Sequence, residues 1–180
     1  LLTAIKEKTK VSFEYKSFKA ADEIDWKERV VHPYLLKEYR NRWYLIGFCE
    51  EKEKVITYGL DRMRQPEASE EYFVQLASFN IDDYFKYAIG ITTFDGENPQ
   101  RIEIMANSVL MKYLDSQPLH ASQKLVKQDS KGSLYSFELY PTQEFDMAIL
   151  SYGSQVKVVN PKKYRDHIAQ LTKGMFEQYQ

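Results

Sequence analysis

The sequence has a single cysteine, Cys49, so no internal disulfide is available and too few soft ligands exist for a zinc cage. That usage fits a reducing compartment, and a cytoplasmic protein is expected. No apolar run approaches the roughly 18 residues that a membrane span needs, and no basic-then-apolar leader opens the chain. The phosphate-loop, dinucleotide, zincin and nucleophile-elbow patterns are all missing. Charge of one sign is missing too: 25 Lys and Arg stand against 26 Asp and Glu in 180 residues. Without a global field to hold it on duplex DNA or an anionic membrane, any anion site must be local. His32, His120 and His167 lie far apart without neighbouring ligand residues, Cys49 has no histidine beside it, and "FDGE" is first of all a turn. An enzyme, a metal and a cofactor are therefore not expected.

Aromatic residues are abundant, 14% of the chain with 14 Tyr against 2 Trp, which suits both β-structure and stacking surfaces. The chain opens "LLTAIKEK" without an initiating Met, which we read as a piece of something longer. At 21.3 kDa it has room for two small units. In the first half, "KVSFEY", "KERVVHPYLLKEY", "RNRWYLIGF" and "KVITYGLDRM" read as short strands. Pro33 demands a bulge, bend or edge in the second of them, because proline cannot donate to a ladder. Successive strand residues face opposite ways, so Trp43 and Leu45 are expected to fill one side, with Tyr44 and Phe48 on the other. Neither side is polar, so both need cover. Short strands with tight turns read as a small β-barrel over residues 1–65.

Residues 66–100 form a looser connector in which "NIDDYFKYAIG" reads as a short helix capped by Asn80 and ended by Gly90. From Arg101 the order is strand, helix, strand, strand, helix, strand, the ferredoxin-like arrangement, with a final helix to residue 180. Thr142 and Asn160 are candidate caps, Gly153 ends the second of these helices, and Pro161 opens the last. Tyr164, Ile168, Leu171, Met175 and Tyr179 make one apolar stripe along that last helix. The fold class expected is thus α+β, a barrel followed by a ferredoxin-like unit.

Basic and aromatic residues interleave around the barrel strands, a mixture that suits a nucleotide or a short single strand: arginine grips phosphate and tyrosine offers a face to a base. The bland alternative is a solvated mixed-charge surface, since Glu28, Glu38, Glu50, Glu51, Glu53 and Asp61 lie close by in sequence. Tyr34, Tyr44, Tyr58 and Arg62 are the expected pocket residues, with Arg29 and His32 behind them. Arg40, Arg42 and Arg64 are candidate phosphate contacts.

"VHPYLLKEYRNRWYLIGF" followed by "YGLDRM" resembles the WYL domain, whose name is spelled here by Trp43, Tyr44 and Leu45. The pattern has a proline in the preceding strand, here Pro33, and a closing Leu-Asp-Arg element, here Leu60, Asp61 and Arg62. "ILSYGSQVKVVNPKKYRDHI" and the final helix resemble the C-terminal extension, WCX, that follows many WYL domains. The resemblance implies an Sm-like, SH3-type barrel, a ferredoxin-like extension and a homodimer. It also implies the ligand-sensing half of a bacterial transcriptional regulator whose helix-turn-helix, the only part to read duplex DNA, is absent from this chain. The effector it implies is a nucleotide or single-stranded nucleic acid. Many relatives carry arginines where this chain has Ile56 and Gly59, which implies a smaller or less charged ligand. The alternatives are a structural dimerisation module with no ligand and a free-standing Sm-like RNA binder.

Overall fold

The computed structural model describes residues 1–18, 26–94 and 98–180. Much of the turn-rich stretch after Tyr15, and the acids of "FDGE", lie outside the described residues. The chain divides into two units, Leu1–Phe79 and Asn80–Gln180, in an α+β architecture built on two antiparallel sheets. Among the described residues no helix is long and apolar enough to cross a membrane.

In the first unit a short helix, α1 (Leu2–Glu7), precedes the strands β1 (Thr9–Tyr15), β2 (Lys27–Tyr39), β3 (Arg42–Cys49), β4 (Lys54–Gly59) and β5 (Met63–Tyr72). The sheet order is β4-β3-β2-β1-β5. The single strand expected over Lys54–Met63 is instead β4, one turn of 3-10 helix at Leu60–Arg62, and the start of β5. That short turn joins the two ends of the sheet. Four strand spacings would hold the ends of a flat sheet roughly 19 Å apart, whereas a 3-10 segment from Gly59 to Met63 rises about 8 Å. The sheet is therefore strongly curled. The Gly59 amide donates to the Tyr15 hydroxyl at 3.3 Å and the Lys16 amide to the Arg62 carbonyl at 3.2 Å, which ties the corner together. Among the described residues β4 and β5 share no ladder, so the closed barrel expected from the strand pattern is here an open, curled sheet.

The register explains the burial. Val11, Phe13, Val31, Leu45, Cys49 and Tyr58 form the core on the concave side, held by the pairs Val11↔Val31, Val31↔Cys49 and Leu45↔Tyr58. The β2–β3 register slips between Pro33 and Leu35, so Tyr34 is the bulge residue that the proline foretells. Tyr44 and Ile46 are buried on the other face, so β3 is covered on both sides as its apolar sequence requires. Trp43 departs from expectation. It is 53% exposed rather than in the core, because it stands one residue in from the Arg40–Asn41 turn and opposite Glu38, itself at the surface.

In the second unit α2 (Ile81–Phe85) is capped as expected, the Asn80 carboxamide oxygen accepting from Asp82 and Asp83 amides at 2.8 and 3.2 Å. Then follow β6 (Gln100–Asn107), α3 (Leu110–Ser116), β7 (Lys124–Asp129), β8 (Gly132–Leu139), α4 (Gln143–Ser151), β9 (Val156–Asn160) and α5 (Lys162–Glu177). The sheet order is β7-β8-β6-β9, all antiparallel. Its core rests on Ile102, Ile104, Leu114, Phe137 and Phe145. Two expected caps are absent. Thr142 precedes α4 with its hydroxyl buried and unpartnered, and the Asn160 side chain donates to Glu103 rather than to α5.

Glu144 binds the segment before β6 to the first turn of α4, accepting from the Thr92 amide at 3.1 Å and its hydroxyl at 2.6 Å. Burial pushes this carboxyl up, but the donors gathered around it, Thr92 foremost, together more than offset it, so it titrates below its ordinary 4.5. Its contribution is then fully present above that pH and fades as the pH falls through the lowered value. Glu144→Gln should cost about 1 kcal/mol near neutrality, a loss that shrinks in acid. Urea unfolding of both chains across the acid range checks this.

Candidate functional site

The expected residues do not converge on one pocket. They divide among three places in the first unit. On the concave side Tyr58 is 2% exposed, edge-on to Phe13 and Tyr15 with ring centroids 5.2 and 4.9 Å away. Burial, then the Cys49 thiol beside it, holds the phenol in its protonated form. Tyr58 is thus a core residue. Tyr44, one ladder step from it in register terms, pairs with Gly59 and faces the opposite side of β3. Arg29 is buried and committed, Nη1 meeting both the Glu51 carboxylate and the Glu28 carbonyl.

On the convex side His32 stacks on Phe73 at 4.9 Å and 19°, and Tyr34 lies 5.9 Å from Phe73 and 4.7 Å from Phe79. The Tyr34 hydroxyl accepts from the Leu76 amide at 3.3 Å. The segment 73–79 therefore covers this part of the sheet. His32 also contacts Glu50 at 2.8 Å, and Lys10 bridges the same Glu50 to Glu71 at 2.8 and 2.7 Å. This polar hub joins β1, β2, the β3–β4 turn and β5. It is a fastening of strands in which every charge has a partner.

The third place is the corner between β4 and β5, and here the geometry is suited to an anion. The Arg62 guanidinium carbon stands 4.4 Å from the Phe18 ring centroid and 5.5 Å from that of Tyr15. Among the described residues its buried Nε has no hydrogen-bond partner, and the acid beside it, Asp61, stands 3.6 Å away. Asp61 is drawn instead to Arg42, 3.2 Å from its other oxygen and 57% exposed along its side chain. A side chain at Gly59 would place its Cβ 2.6 Å from Arg62 Nη2 and from Asp61 Oδ1. The glycine thus leaves the volume into which Arg62 folds. Position 59 does not simply lack a basic group, because the guanidinium of residue 62 lies against it. The corner therefore offers one unsaturated guanidinium, one exposed arginine and two aromatic rings.

The remaining arginines divide. Arg64 makes two hydrogen bonds to Glu14 at 2.7 and 3.2 Å and lies 4.0 Å over Trp26. Arg40, in the β2–β3 turn with φ 51°, stands 5.5 Å over Tyr39. A shallow cavity of about 280 Å³ in this unit is lined by Glu14, Glu28 and Glu67 and by none of the expected site residues, so its charge disfavours an anion. Tyr15 and Phe18 were not among the expected site residues. Tyr15 carried a signal, since it continues the Val11, Phe13 alternation toward the corner; Phe18 carried none. Among the described residues no group of three or more His, Cys, Asp or Glu is placed to hold a metal.

A family model for the WYL domain matches residues 1–68, and one for the WCX domain matches residues 101–176. The chain is a WYL domain followed by a WCX domain. The Arg62 corner accordingly belongs to the WYL domain and closes its Leu-Asp-Arg element. A comparison with curated proteins yields no significant match. Among solved structures, a CRISPR Cas-related protein matches over 99% of this chain and 49% of its own, at 12% identity and a TM-score of 0.60. That likeness bears on the fold alone. Proteasome accessory factor B/C (PafBC) of Arthrobacter aurescens matches over 99% of this chain and 26% of its own, at 18% identity and a TM-score of 0.38. The WYL–WCX chain thus spans about half the length of the first protein and about a quarter of the second.

Proposed function

We propose that this WYL–WCX chain is the ligand-sensing, regulatory half of a transcriptional regulator, and that its WYL domain takes an anionic effector of the nucleotide or single-stranded nucleic acid class at the Arg62 corner. The observation that carries the reading is the Arg62 side chain, held beside two aromatic rings with a buried Nε that no group among the described residues satisfies. A buried donor without a partner costs about 1–3 kcal/mol, a cost an anionic ligand removes. The aromatic rings beside it supply stacking surface for a base. Regulation then follows from differential affinity for two arrangements of the larger protein. The same reading takes the curled sheet as an Sm-like barrel and the second unit, with strand order β7-β8-β6-β9, as ferredoxin-like.

Thermal unfolding of the chain against short single-stranded DNA and RNA, cyclic dinucleotides and mononucleotides tests it, because a ligand of the native state raises the transition. Stabilisation that weakens as salt rises supports the reading. A transition unmoved by every anion removes it.

One observation favours a second role, pairing of copies. Leu171, Met175 and Phe176 on the later turns of α5, and Tyr179 just past its end, are 36–90% exposed, where the preceding Tyr164 is buried in the core. A dimer that persists when all ligands fail would leave the chain a structural pairing module.

A further inference from the structure

A groove of about 710 Å³ lies in the second unit, far in sequence from the Arg62 corner, between α3, the Gln117–Leu119 loop and the end of α4. Its size is within the range of about 300–1,000 Å³ typical of small-molecule sites. Leu110 and Leu114, both almost fully buried, form an apolar floor. Around it stand two phenols, Tyr113 and Tyr152, and two primary amides, Gln117 and Gln155.

The lining is selective in one respect. Charged residues make up 28% of the chain, yet none of the ten residues lining the groove is an acid or a base. A charged occupant would find no counter-ion there. The polar groups present are uncommitted: among the described residues no hydrogen bond engages the Gln117 or Gln155 carboxamide or the Tyr113 or Tyr152 hydroxyl. Burial holds the Tyr152 phenol protonated, so it remains a neutral donor. The loop wall is also fixed in advance. Gln123 clamps it, Nε2 donating to the Leu114 carbonyl at 2.8 Å and Oε1 accepting from the Leu119 amide at 3.0 Å. Ser122 ties the same loop to Glu138 of β8 through both its backbone partners, at 2.9 and 3.0 Å. A wall fixed before binding loses little freedom on binding.

We propose that this groove binds an uncharged planar heterocycle of the nucleoside class. Each carboxamide presents a donor and an acceptor side by side, the arrangement that pairs with a base edge. Each tyrosine gives a ring on which a base stacks, and the leucine floor takes the apolar remainder. The site is separate from the WYL corner in both residues and ligand charge.

The test titrates the full chain with adenosine, guanosine, cytidine and uridine by calorimetry at low and high salt. At least one nucleoside should bind with an affinity that salt does not change, and in the Arg62→Ala chain, whose WYL corner no longer takes the phosphate, its 5′-monophosphate should bind more weakly. Tyr113→Ala, at a position 66% exposed, and Gln155→Ala should each weaken binding about fivefold or more without moving the unfolding transition. Arg62→Ala should leave it unaltered, which separates this site from the WYL corner. Failure of all four nucleosides to bind overturns the proposal, as does binding that survives both groove substitutions or falls with salt.

Discussion

Gly132→Ala should unfold the WCX unit and leave the WYL unit folded. Gly132 opens β8 opposite Asn107, and a Cβ built on it would lie 2.0 Å from the Ala106 carbonyl oxygen. That atom is backbone in the central strand, so no rotamer change relieves the collision. The β6–β8 ladder would have to part at its end. It is the same ladder that sets Ile104 against Tyr135 and Ile102 against Phe137, the middle of the core. Overpacking against a fixed backbone belongs to the small class of changes that cost about 4 kcal/mol or more, a large fraction of the 5–15 kcal/mol that typically holds a domain. Hydrogen exchange read by mass spectrometry should show protection lost across β6, β8 and β9 and retained across β1–β3. Gly174→Ala serves as the control. It lies within α5 with nothing within 4 Å of its added Cβ, and should stabilise by up to about 1 kcal/mol through helix propensity.

The second large effect is expected at the WYL corner. Arg62→Ala should lower affinity for an anionic effector by about 1.5–3 kcal/mol, the worth of hydrogen bonds to a charged group, which is roughly a 10- to 150-fold loss. It should also flatten the salt dependence, since one cation fewer meets the ligand. Folding should suffer little, because among the described residues the one acid paired with it, Asp61, lies beyond hydrogen-bond distance at 3.6 Å. Gly59→Ala makes the companion test. Its backbone, at φ −71° and ψ 128°, accepts any residue, and the atoms a Cβ meets are the mobile ends of Arg62 and Asp61. The variant should fold normally and bind weakly, because the guanidinium is displaced from its place over Phe18. Equal affinity in wild type, Arg62→Ala and Gly59→Ala would move the effector elsewhere.

How much of this was legible in advance depended on which force shapes each segment. β2 was readable to its ends, since alternation and Pro33 both report on side chains that pack. The Asn80 cap and the Gly153 stop, at φ 55°, were readable for the same local reason. β5 was not. "MRQPEASEEY" buries almost nothing, and it is a strand only because its backbone pairs with β1, across two register shifts. Backbone pairing of that kind leaves no mark on hydrophobic periodicity. The site suffered from a related gap. Parity along one strand says which neighbours share a face, but learning that Tyr44 and Tyr58 lie on opposite faces required the β3–β4 register, which sets Tyr58 beside Leu45 and Tyr44 beside Gly59. Arg62 was readable from its motif, while its rings were not: Phe18 reaches it across the fold from beyond the end of β1.

The short turn at Leu60–Arg62 has a mechanical consequence. Three segments terminate on it: β4 arrives through Gly59, β5 departs through Met63, and the chain leaving β1 hangs from the Arg62 carbonyl by the Lys16 amide. Arg62 therefore acts as the clasp of a bent band. With the proposed effector bound, any load on its guanidinium would pass through one residue's backbone to both edges of the sheet, which would couple occupancy at the corner to the curvature of the sheet. A stiff clasp would register the ligand as a change in how far the band is open, and β5, the edge that leads out of the WYL sheet, would be the first strand to carry that change onward.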